Sequence, residues 1–144
     1  MKRWFLIITA ILAIGAVIFI AALPAMKRHG EQLGCSSQMH GILFATLMFC
    51  NDHGGRLPSD FLSMSNELST PEILICPGDH SHQLATSWAS FTTNNCSYEI
   101  DAPGIYKINT NVVFLRCKIH DYVGYADGRV LDDSGRVVVS KRFW

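Results

Sequence analysis

The chain has 144 residues, 49% of them hydrophobic, and its twelve lysines and arginines balance twelve aspartates and glutamates. A neutral balance lacks the basic excess that phosphate binding demands, which excludes nucleic acid as the expected partner. The length supports one small domain, so the unusual apolar content must be concentrated somewhere.

It is concentrated at the N-terminus. From Trp4 to Leu23, "WFLIITAILAIGAVIFIAAL" carries no charge, and an α-helix of about twenty residues spans about 30 Å, the hydrocarbon thickness of a bilayer. Thr9 is the one hydroxyl in the run and can bond back to its own helix. A cleaved signal peptide would want an apolar region of about 7 to 15 residues and a small-x-small cleavage site, which Leu23-Pro24-Ala25 matches poorly. The expectation is therefore an uncleaved, single-pass anchor over residues 1–25 in an inner or cytoplasmic membrane. Lys2 and Arg3 favour a cytoplasmic N-terminus, although Lys27 and Arg28 follow the span. The cysteine- and turn-rich remainder argues for an extracytoplasmic C-terminal head.

Beyond Pro24 the helical period resumes over residues 26–55. At about 100° per residue, Cys35, Met39, Ile42, Leu43, Thr46 and Cys50 share one side, and Gly30, Gly34 and Gly41 cluster on the other. The first face suits a core. The glycines either weaken the helix, by about 1 kcal/mol each relative to alanine, or form a stripe for helix packing. Asn51-Asp52-His53-Gly54-Gly55 ends the helix, and Leu57-Pro58 prevents its resumption. Ser59 is placed to cap a short helix carrying Phe61, Leu62 and Leu68. "EILIC" then reads as a strand ending at Pro77-Gly78, and Trp88 and Phe91 are expected to pack down the polar stretch 79–95. Short strands follow at "CSYEI", "VVFLRC", "YVGYA", "RVL" and "RVVVS", with Asp127-Gly128 as a hairpin signal and Asp132-Asp133-Ser134-Gly135 as a second turn. The expected class is α+β: a long N-terminal transmembrane helix, then a small head over residues 56–144 with an antiparallel sheet.

The segments "LPAMKRHGEQLGCSSQMHGILFATLMFCNDHGGRLPS", "EILICPGD", "CSYEI" and "RCKIHDYVGYADGRV" resemble, in that order, type IV pilin-like pseudopilins of type II secretion systems. The likeness is to a prepilin-like group of planctomycete and verrucomicrobial bacteria. It implies a pilin-like fold and a non-enzymatic structural or assembly role, with other pilin-like subunits or secretion-system components and the membrane as partners. The N-terminus departs from the group: Trp4 stands where prepilins carry the cleavage-site glycine, and Thr9 where they carry glutamate. Lys118 replaces a frequent proline.

The cysteines pose the chemical question. Cys35 and Cys50 on one continuous helix would be about 22 Å apart, too far for a disulfide, so each either pairs elsewhere or serves as a small core residue. Cys76 and Cys117 both end expected strands, and a bridge between them would close a loop worth around 3 to 4 kcal/mol. Cys96 is the rival partner for either. "CPGDHSH" and "CKIH" also suit zinc, with Cys76, Cys117 and two of His80, His82 and His120 as donors; the set Cys76, His80, Cys117 and His120 is the alternative to the bridge. Calcium is the weaker metal, since Asp127, Asp132 and Asp133 lack a calcium-loop spacing and serve as turn residues. Ser81 between two histidines makes no nucleophile-and-base geometry, and Cys-x-x-Cys and phosphate-loop motifs are missing, so no enzyme is expected.

Overall fold

The computed structural model describes residues 2–106 and 111–139. Ser140, at the end of the last expected strand, and the Lys2 and Arg3 side chains lie outside the described residues. Helix α1 runs from Lys2 to Asp52 with Pro24 inside it, and the chain divides into two compact units, Met1–Gly30 and Glu31–Trp144. The second part of α1 thus belongs with the head.

In the first unit the described side chains of the apolar run are exposed. Ile11, Leu12, Ile14, Val17, Ile18, Phe19 and Ile20 are all exposed, and the most apolar 18-residue window has a mean hydropathy of 2.7. The helix is long and apolar enough to cross a membrane, and lipid is the solvent in which such a surface costs nothing to expose.

In the second unit the periodicity does what a 3.6-residue repeat dictates. Cys35, Met39, Ile42, Leu43, Thr46 and Cys50 are all buried, forming the helix side of a core completed by Leu57, Met64, Leu74, Phe114, Leu115 and Val130. The helix ends where Gly54 and Gly55 take φ of 63° and 84°, which returns the Gly55 N–H to the Cys50 carbonyl at 2.7 Å. On the opposite face Gly34 and Gly41 meet this chain's own segment 73–77. An added Cβ would sit 3.0 Å from Pro77 Cγ at Gly34 and 3.2 Å from Ile73 Cδ1 at Gly41, while Gly30 has open space around it. Two of the three small residues expected to admit a neighbouring helix thus admit the head itself.

Five strands form one antiparallel sheet in chain order: β1 (Tyr98–Ile100), β2 (Val113–Cys117), β3 (Tyr122–Tyr125), β4 (Val130–Leu131) and β5 (Val137–Val139). The two turn signals lie where the pattern put them, between β3 and β4 and between β4 and β5, with Gly128 and Gly135 at φ of 93° and 78°. Gly124 on β3 lets the helix close on the sheet: a Cβ there would lie 3.0 Å from Leu43 Cδ1 and 3.2 Å from Leu115 Cβ. A register irregularity between Val113 and Leu115 allows the consecutive Phe114 and Leu115 both to be buried.

Two local expectations are corrected. "EILIC" is not a strand: Pro71–Leu74 is a 3-10 helix, because Pro71 supplies a helical φ at the first position and the run is too short for periodicity to decide. The helix expected after Ser59 shrinks to a 3-10 turn, Leu62–Met64, where Asp60 rather than Ser59 accepts the Ser63 N–H, at 2.7 Å. Trp88 and Phe91 do pack against the core, edge to face at 5.5 Å.

Candidate metal centre

Three segments distant in sequence deliver four donor atoms to one place. Cys35 comes from the buried face of α1. Cys76 opens a tight turn after the 3-10 helix, closed by the Asp79 N–H on the Cys76 carbonyl at 2.8 Å. Cys117 ends β2, and His120 sits in the turn to β3, where Asp121 takes a φ of 53°. The donor atoms of Cys35, Cys76, Cys117 and His120 all lie within 4.8 Å of one another. His120 Nδ1 is 3.2 Å from Cys76 Sγ. Tetrahedral zinc, with Zn–S of about 2.3 Å and Zn–N of about 2.0 to 2.1 Å, separates its donors by about 3.6 to 3.8 Å, so the cluster has the size of that coordination shell.

The approach of the three segments follows from their sequences. Gly34, next to Cys35, makes room for Pro77, next to Cys76. Gly78 then makes room for the imidazole, since a Cβ at that position would lie 2.9 Å from His120 Cε1 and 3.1 Å from Nε2. The His120 ring stacks on Tyr122, with centroids 5.7 Å apart.

Backbone and side-chain donors bear on the three thiols unequally. The Gly78 N–H supports Cys76, and the His120 and Ile119 N–H groups support Cys117. The buried Tyr98 hydroxyl lies 3.7 Å from Cys35 Sγ and 3.0 Å from Gln38 Oε1; burial pushes its phenol up, so it stays a donor. Hydrogen bonds from the Cys35 and Cys76 thiols hold Cys117 well below the ordinary thiol range. The same bonds to Cys117 push Cys35 and Cys76 up. Like charges at this spacing in a buried site resist joint ionisation. A divalent cation held here would replace thiol protons and give Cys35, Cys76 and Cys117, each 0% exposed, the charge partner that buried thiolates require.

The expected Cys76–Cys117 bridge is not formed: no disulfide joins any of the five cysteines. The physical reason is convergence, since a third thiol and an imidazole share the place where two sulfurs alone were expected. Of the alternative zinc set, Cys76, Cys117 and His120 come together and His80 does not. Its side chain is 69% exposed, with Nε2 3.9 Å from Glu31, and Cys35 supplies the fourth donor. His82 instead donates Nδ1–H to the buried Asp79 carboxylate at 2.6 Å, on the wall of a cavity of about 750 Å³. Two of the three aspartates weighed for calcium hold arginines: Asp127 pairs with Arg129 at 2.6 Å and Asp132 with Arg136 at 2.9 Å. Cys35 was legible as a core residue or a disulfide partner, not as a metal donor; the signal that it was one is the pairing of Gly34-Cys35 with Cys76-Pro77, a gap beside one thiol and a ring beside the other.

No family model, curated protein or solved structure matches this chain. A long apolar N-terminal helix followed by a small antiparallel sheet is compatible with the pilin-like order of elements, and the four-donor cluster is a feature of this chain's own geometry.

Proposed function

We propose that this protein is a membrane-anchored, pilin-like structural module whose head is held together by a zinc ion on Cys35, Cys76, Cys117 and His120. The observation that carries the reading is the convergence of four donor atoms within 4.8 Å. Three thiolates and an imidazole select zinc over calcium or magnesium, and four protein donors close the shell, as in structural rather than catalytic sites. The ion ties the second part of α1 to two head turns, the work assigned in the sequence to a disulfide. The N-terminal helix anchors the chain, the head is extracytoplasmic, and the role is in assembly with pilin-like subunits of a secretion or pilus-like system. In an oxidising compartment the metal also keeps three adjacent thiols from bridging.

The test is elemental analysis and thiol titration of full-length protein purified in detergent without chelators. About one zinc per chain, with all five thiols reactive after denaturation under nonreducing conditions, is the expected result; no metal together with protected disulfides overturns it.

A steric variant probes the imidazole. Gly78→Ala is compatible with the backbone but places its Cβ against His120, so metal affinity should fall by about 10- to 100-fold, the usual cost of disturbing a ligand's support. Competition with a chromogenic chelator reads the change, and an unaltered affinity would remove His120 from the shell.

A further inference from the structure

We infer that Asp79 and Ser97 form a positioning pair that fixes Cys76 for the metal. The inference rests on the zinc reading above and goes beyond the four donors.

The chain of contacts is short. The Cys76 N–H donates to Ser97 Oγ at 2.9 Å, and the Ser97 hydroxyl donates onward to Asp79 Oδ2 at 2.6 Å. Asp79 closes the circuit by donating its own N–H to the Cys76 carbonyl. The Ser97 N–H also donates to the Leu74 carbonyl at 2.9 Å, which holds the entry to β1 beside the turn. Both peptide groups of Cys76 are therefore fixed by this pair, one through the Ser97 hydroxyl and one through the Asp79 backbone.

Asp79 is built for the task. Its side chain is 1% exposed and accepts from the Ser81 N–H at 2.8 Å, the Ser81 hydroxyl at 2.7 Å, the His82 N–H at 3.2 Å and His82 Nδ1 at 2.6 Å. A carboxylate that served only its own turn would be satisfied by Ser81 and His82. The bond from Ser97, eighteen residues on, is the one that reaches the ligand. Such outer hydrogen bonds orient a ligand before the metal arrives, and their loss costs metal affinity rather than metal capacity.

The test uses the full-length protein in detergent micelles with cobalt(II) and zinc(II) as probes, comparing Ser97→Ala, Asp79→Asn and the double variant. Asp127→Asn serves as a control, since it weakens a buried carboxylate–arginine pair in the β3–β4 turn, which holds none of the four donors. The expected result is a cobalt affinity about 10- to 100-fold lower in each single variant, with altered sulfur-to-cobalt charge-transfer bands. The double variant should lose no more than the worse single one, because both act through one chain of contacts. Asp127→Asn should lower thermal stability and leave affinity and bands in place. If the Ser97 and Asp79 variants lose stability but move affinity no more than Asp127→Asn does, the pair is only a local turn clamp and the inference is overturned alone. If the unmodified protein takes up neither cobalt nor zinc, the zinc reading falls and takes this inference with it.

Discussion

Replacing Cys35 with serine should abolish the proposed stoichiometric zinc binding and lower the unfolding midpoint by roughly 15 to 30 °C. The magnitude follows from linkage: a ligand present at about a thousand times its dissociation constant stabilises the folded state by about 4 kcal/mol. In a domain of about 100 residues each kcal/mol shifts the midpoint by about 4 to 8 °C. Serine keeps the size of the side chain, so the loss reports the sulfur–metal bond more than a cavity. The contrast that gives the result its meaning is His80→Ala, which should leave both zinc content and midpoint unchanged, because His80 is exposed and directed towards Glu31. A Cys35→Ser protein that retains one zinc and its wild-type midpoint would return Cys35 to the status of an ordinary core residue. Differential scanning fluorimetry with parallel metal analysis makes the comparison.

Phe114→Ala should cost about 3 to 5 kcal/mol, the range for deleting a buried aromatic ring that the surroundings cannot refill. Phe114 is 0% exposed and is the largest of the fully buried side chains. It sits on β2 at the register irregularity, inside the core cluster shared by α1 and the sheet. Chemical denaturation of the full-length protein in detergent gives the number. A loss below about 1 kcal/mol would mean that the strand relaxes into the space, contrary to the close packing that interiors normally show.

Much of the fold was legible because it is periodic or punctuated. The helix face from Cys35 to Cys50 follows from a 3.6-residue repeat, and the helix end from the Gly54-Gly55 pair. The β3–β4 and β4–β5 turns follow from Asp127-Gly128 and Gly135. The segment around Ile73 was not legible, because the four apolar residues Ile73 to Cys76, following Pro71-Glu72, satisfy a buried strand and a 3-10 turn alike. The centre was half legible. Cys76, Cys117 and His120 announced themselves by chemistry, whereas Cys35 did not, since its place on a helix face has a sufficient explanation in burial. Its convergence with the others depends on the approach at Gly34 and Pro77, which is a property of packing between distant segments rather than of any local pattern.

The most direct measurement is X-ray absorption at the zinc edge on the full-length protein purified with its native metal. The account predicts a shell of three sulfurs at about 2.3 Å and one nitrogen at about 2.0 to 2.1 Å, reduced to two sulfurs in Cys35→Ser if any zinc remains. A shell of oxygen and nitrogen alone, or no zinc at the edge in protein that is folded and carries a disulfide, would contradict it.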